Sequence, residues 1–198
     1  YTHVEIDENS DWIIAEKLMK EFVLKNPSKK TMPISLVLSD VDGVLTDAGM
    51  YYTESGDEIK KFSAYDGMGF NILKEKGIKV GIITTEDRNL NRRRAKKLNL
   101  DFHIHGAKDK LSIVKELCFN EKISLEEVAY IGDDINCYDL LSHVGFAACP
   151  KNAVDKIKNI NNIIHLNKSG GQGVFREFVG HILNAVSYTH LTLPTKNE

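Results

Sequence analysis

The sequence predicts an α/β protein, a three-layer Rossmann-like parallel sheet with a small β-hairpin insertion and no cap domain. Three observations lead there. Short, almost wholly apolar runs such as Ile34–Leu38 and Val80–Ile83 have strand length without polar alternation, which marks strands buried on both faces. Segments with helical periodicity stand between these runs, so neighbouring strands are expected to run parallel. Acidic or hydroxyl residues gather where the runs end: Asp40 and Asp42, Thr84 and Thr85, Asp133 and Asp134.

Before the first run, Ser10 and Asp11 are good helix N-caps. Ile14, Ala15, Leu18, Met19, Phe22 and Val23 then repeat at helical spacing until Asn26 and Pro27 stop the pattern. Residues 1–26 are therefore expected to be a helical unit, with 27–33 as a polar, basic linker. The chain opens on Tyr1 and is expected to be a fragment. The main domain is expected over 34–186, with strands at 34–40, 79–84, 101–105, 128–132 and 145–148, and helices at 66–76, 87–98, 109–119, 136–142 and 173–184. Residues 49–63 break the alternation: two short runs flank Glu54-Ser55-Gly56-Asp57, the pattern of a hairpin. Residues 187–198 continue neither period and are expected to be an unstructured, artefactual tail.

The net charge of -2 remains from 26 basic and 28 acidic residues, so no field holds the protein on nucleic acid or on an anionic membrane. No apolar run approaches the roughly 18 to 20 residues of a membrane-spanning helix. Cys118, Cys137 and Cys149 are odd in number and lack C-x-x-C spacing, which suits reduced thiols in a cytoplasmic protein. A small-molecule partner is the expectation.

Asp40 and Asp42 follow a strand in the order Asp-Val-Asp-Gly-Val, at the end of a sheet where open α/β proteins bind ligands. Taken alone, that segment reads equally well as an ordinary Asp-Gly turn. Thr84 at a second strand end, Lys110 at a helix start and Asp133-Asp134 at a third strand end tip the balance. All of them converge on one crevice. A nucleophile, oxygen ligands for a divalent cation, and donors for phosphate oxygens are what phosphoryl transfer needs.

That ordered series resembles the haloacid dehalogenase superfamily. Within it, residues 34–184 are similar to the small-cap phosphatases acting on 8- or 9-phosphates of 3-deoxy-2-ulosonic acids, such as Kdo 8-phosphate, Kdn 9-phosphate and N-acylneuraminate 9-phosphate. The resemblance implies that Asp40 attacks phosphorus and that Asp42 protonates the leaving oxygen, then activates water. It implies Thr84 and Lys110 as holders of the phosphoryl group. Magnesium would be bound by Asp40, Asp133 and the Asp42 carbonyl, with Asp134 in support. Thr85, Glu86, Arg94, Asn136 and Arg176 are the candidate substrate contacts, and a homotetramer is the expected assembly. Two positions depart from the family pattern: Thr85 replaces a Gly before Glu86, and Cys137 replaces an acidic residue after Asn136.

Arg94 shares a helix face with Leu90 and Leu98, so its inward direction calls for an anion. The rest of the Arg92–Lys97 cluster reads as a solvated face. His103 and His105 read as ordinary strand residues, for want of a third metal ligand. The Gly170-Gly171-Gln172-Gly173 stretch lacks the Lys-Ser/Thr of a P-loop and resembles a C-terminal segment that reaches a neighbouring subunit in these phosphatases. Residues 5–16 are similar to the end of acylneuraminate cytidylyltransferases, which implies a bifunctional parent chain. Two other functions were weighed, a receiver-like phosphoacceptor domain and a non-catalytic tetramerisation module of a cytidylyltransferase. The order of the acidic residues argues against the first, and the retention of Asp40, Asp42, Lys110 and Asp133 against the second.

Overall fold

The computed structural model describes Trp12 and residues 33–187; the helix expected within 1–26, most of the linker and the tail from 188 lie outside the described residues. The chain divides into two units, Tyr1–Thr31 and Met32–Glu198, and every described strand belongs to the second.

Six strands form the main sheet: β1 (Leu36–Ser39), β4 (Lys79–Ile83), β5 (Phe102–Ile104), β6 (Val128–Ile131), β7 (Phe146–Cys149) and β8 (Ile164–His165). The small strands β2 (Tyr51–Tyr52) and β3 (Glu58–Ile59) pair antiparallel as the expected hairpin. In space the main strands run β5-β4-β1-β6-β7-β8, all parallel. Numbered within this sheet, that is the doubly wound order 3-2-1-4-5-6, in which chain direction reverses across the sheet between β1 and β6. A receiver-type order, 2-1-3-4-5, is not what forms.

Side chains alternate across the sheet with period two, and both faces are covered. Val37, Val80, Ile82, Ala129 and Ile131 pack with α1 (Ala64–Glu75), α2 (Asn89–Leu98) and α6 (Val174–Ser187). Leu36, Leu38, Ile83, Val128 and Tyr130 pack with α3 (Lys110–Glu121), α4 (Tyr138–Leu141) and α5 (Asp155–Lys158). Burial on both sides explains why the strands read as continuous apolar runs. On the first face Phe70 and Phe175 stack with centroids 4.0 Å apart. Beside them, Asp66 Oδ1 accepts the Arg176 backbone N–H at 3.0 Å and so caps the start of α6. Burial pushes the Asp66 carboxyl up to about 6, a rise that this hydrogen bond partly offsets.

Four elements differ from expectation. β8 and α5 span two and four residues, too few to leave a periodic signal. The helix expected over 136–142 is a 3₁₀ turn, Ile135–Cys137, followed by α4, because the Asp134 side chain accepts the Ile135 N–H at 2.7 Å and tightens the turn. α6 runs on to Ser187, three residues past its expected end at 184.

Candidate active site

The reversal between β1 and β6 places two loops side by side at the carboxyl end of the sheet. Asp40 follows β1, and its N–H extends the ladder by bonding the Ile131 carbonyl at 3.0 Å. The chain then turns tightly, with the N–H groups of Leu45 and Thr46 converging on the Val41 carbonyl at 2.9 and 3.0 Å. Gly43 sits in this turn with φ +81°, and a Cβ there would stand 1.8 Å from Asp133 Oδ2. Only glycine lets the loop after β1 approach the carboxylate after β6 this closely.

Asp40 is buried, and its oxygens face different partners. Oδ1 accepts the Val41 N–H at 2.7 Å. Oδ2 accepts from the Lys110 ammonium at 2.6 Å and the Cys137 thiol at 2.8 Å. Lys110 begins α3, whose N-cap Asp109 accepts the Ser112 N–H at 3.0 Å, so the helix start fixes the lysine in place. Burial alone would lower the Lys110 pKa, but Asp40 and Cys137 beside it prevail and raise it. Burial and the Asp40 charge push the Cys137 thiol up to about 12, so it stays protonated and donates.

Asp42 accepts Lys60 Nζ on Oδ1 at 2.7 Å, and Lys60 also reaches Glu86 Oε2 at 2.5 Å. Burial raises the Asp42 pKa against the lowering effect of Lys60. Asp133 is pushed up to about 7, first by burial and then by the charges of Asp40 and Asp134. Two neighbouring carboxylates held in this way call for a cation. Asp40, Asp133 and Cys137 offer donor atoms within 4.8 Å of one another. A protonated thiol is a poor ligand for a hard cation, so the oxygens of Asp40 and Asp133 are the donors that fit magnesium.

A cavity of about 190 Å³ opens over these groups, lined by Asp40, Asp42, Ala48, Met50, Thr84, Thr85, Glu86, Asp133, Asp134 and Asn136. Thr84 is buried at the end of β4, and its Oγ1 accepts the Glu86 N–H at 3.2 Å. Asn136 Nδ2 donates to Thr85 Oγ1 at 3.0 Å. A larger cavity, about 510 Å³ beside Lys151, Lys158 and His165, holds no carboxylate or nucleophile. The chemistry therefore points to the smaller one.

Arg94 and Arg176 do not line the cavity. The inward direction of Arg94 is as expected, but its guanidinium donates to the Ser63 carbonyl at 2.9 Å and lies over the Phe62 ring at 5.4 Å. Its partners within this chain are thus near neighbours on the segment entering α1, with the charge of Asp66 close by. Within this chain the Gly170–Gly173 stretch braces the turn after β1: the Gly171 N–H bonds the Val44 carbonyl at 2.9 Å. Three contributors left no clear mark in the sequence. Asn152 ties Gly43 to Gly170 through bonds of 3.1 and 2.7 Å. Tyr130 places its hydroxyl 3.3 Å from Lys110 Nζ. Lys60 has 1% of its side chain exposed and Lys61 62%, a difference that two adjacent lysines do not show in the sequence.

The family described as haloacid dehalogenase-like hydrolase matches residues 93–178. The 3-deoxy-D-manno-octulosonate 8-phosphate phosphatase of Haemophilus influenzae is 34% identical over 79% of this chain and 87% of its own length. N-acylneuraminate cytidylyltransferase A of Danio rerio is 31% identical over 91% of this chain, which covers 42% of that protein. Among solved structures, the Moraxella catarrhalis octulosonate 8-phosphate phosphatase in complex with magnesium, phosphate and KDO superposes with a TM-score of 0.75 at 34% identity, over 85% of this chain and 94% of that one. The cobalt-bound Haemophilus influenzae phosphatase gives 0.75 at 32% identity, over 80% and 92%.

Proposed function

Because this chain belongs to the haloacid dehalogenase-like hydrolases, we propose that it is a magnesium-dependent phosphatase that cleaves a phosphomonoester of a 3-deoxy-2-ulosonic acid in the cytoplasm. One observation carries the reading: Asp40, held by Lys110, lines a single cavity together with Asp42 and Asp133.

Asp40, Asp133 and the Asp42 carbonyl would hold magnesium, with Asp134 behind them, and the chemistry it would supply there is neutralisation of charge on the phosphoryl oxygens. An Asp40 oxygen attacks phosphorus as the bond to the sugar oxygen breaks, and Asp42 gives that oxygen a proton. The Thr84 hydroxyl and the Lys110 ammonium hold the transferring group. Asp42 then takes a proton from water, the water oxygen attacks phosphorus, and phosphate leaves with Asp40 regenerated. Asp42→Asn therefore slows both halves of the reaction.

For the substrate we place N-acylneuraminate 9-phosphate first, Kdn 9-phosphate second and Kdo 8-phosphate third. The bacterial phosphatases support the ulosonate class. The reach of the Danio rerio similarity over 91% of the chain, further than the 79% of the Haemophilus protein, supports a nine-carbon acid and a parent chain with a cytidylyltransferase domain. Phosphate release from the three compounds and from a sugar phosphate without a carboxylate, with magnesium and with EDTA, tests this. No magnesium-dependent release from any of them overturns the phosphatase reading, and a clear preference for Kdo 8-phosphate overturns the ranking.

The assembly follows from the hairpin. Met50, Tyr51, Tyr52 and Ile59 expose apolar surface there, as do Tyr65 and Met68 of α1, and among the described residues no cap domain covers the cavity. Four copies closing one another's sites would cover that surface and bring Glu86, Arg94 and Arg176 to substrate. A monomeric mass in solution, with full activity on dilution, overturns this.

A further inference from the structure

Among the described residues, Lys60 is the one ammonium at the site, closed off from solvent, that the proposed reaction does not use. It lies one residue past β3, on the hairpin insertion, with 1% of its side chain exposed. Its Nζ stands 2.7 Å from Asp42 Oδ1, 2.5 Å from Glu86 Oε2 and 3.9 Å from Glu58 Oε1. A lysine is buried this deeply only where carboxylates replace its water, and here two of them line the cavity.

The consequence lies in how the two Asp42 oxygens are divided. Oδ1 accepts from Lys60 and, at 3.3 Å, from the Thr46 hydroxyl. Oδ2 is buried and has no partner among the described residues. An ammonium only donates, so Oδ1 remains an acceptor while Lys60 is in place, and a proton on Asp42 must sit on Oδ2. We propose that Lys60 is a positioning residue: it pins Asp42 by Oδ1 and so leaves Oδ2 as the oxygen that meets the leaving group. The same ammonium sets Glu86 on the opposite wall. The hairpin insertion thus orients the proton donor as well as presenting surface. This inference rests on the phosphatase reading.

A lysine that merely held the hairpin down would, when lost, weaken turnover of every substrate alike. One that aims a proton donor acts only where the leaving oxygen needs the proton. The test compares kcat/KM, which reports the step that forms the phosphoenzyme, for p-nitrophenyl phosphate and for the best sugar phosphate of the panel. Nitrophenolate leaves unprotonated, whereas a sugar alkoxide does not. Lys60→Met is expected to lower kcat/KM for the sugar phosphate by about 10² or more, as for loss of general acid catalysis, and for the aryl phosphate far less. Lys60→Arg keeps the charge and the donors, so it should recover part of the loss. It also carries the test if the methionine variant does not fold, with a smaller loss again confined to the sugar phosphate. Equal losses on both substrates, or none on either, overturn the inference and leave the phosphatase reading intact. A wild-type protein that turns over neither substrate overturns both.

Discussion

Asp40 and Asp42 stand two residues apart, yet different parts of the chain surround them. Asp40 faces Lys110 from α3, with Tyr130 of β6 and Cys137 close by, all parts of the sheet and its helices. Asp42 faces Lys60 from the inserted hairpin and, across that lysine, Glu86 from the loop after β4. The scaffold therefore holds the proposed nucleophile, and the insertion holds the proposed proton donor. Changes in the hairpin can redirect the second acid while the first keeps its partners.

Asp40→Asn breaks the scaffold side completely. An amide is no nucleophile there, so turnover falls by at least about a thousandfold in a phosphate-release assay; near-normal activity would remove Asp40 from the chemistry. Lys110→Met acts next, on stability as well as on rate. It leaves Asp40 charged, buried and unpaired, which costs about 3 to 5 kcal/mol in urea denaturation. Adding Asp40→Asn should recover part of that loss, and strict additivity would show that the pair is not coupled.

Acidity separates the two sides more gently. With Asp133 at about 7 in the metal-free protein, magnesium has to displace a proton below that pH. Affinity measured by calorimetry should weaken towards about tenfold per pH unit below 7 and level off above it. Because this carboxyl is raised in the folded state, the metal-free protein loses stability as pH climbs from 3.8 towards 7, and magnesium reverses that loss. A flat profile for both quantities would take Asp133 out of the metal site. The smallest effect expected is none: deleting residues 188–198, beyond the end of α6, leaves melting temperature and activity within error.

Much of this was legible in the chain itself. The apolar runs identified the strands because a strand buried on both faces carries few polar residues. Asp40, Thr84, Lys110 and Asp133 were legible because each sits where a strand ends or a helix starts, and in a parallel sheet those positions share one edge. Gly43 was legible as part of Asp-Val-Asp-Gly. Its purpose, the approach of Asp133 from 90 residues further along, was not.

By itself, then, the sequence determined the layered fold and the residues available for phosphoryl chemistry, since periodicity and element ends are local properties. The tertiary structure decided the partners. Helical spacing turned Arg94 inward, but only packing showed that it ends on Ser63 and Phe62. The hairpin pattern took in Lys60 and Lys61 alike, but only the folded hairpin joined Lys60 to Asp42 and Glu86. Spacing along a chain fixes the direction of a side chain relative to its own element, whereas a charge meets its partner only where separate elements pack together.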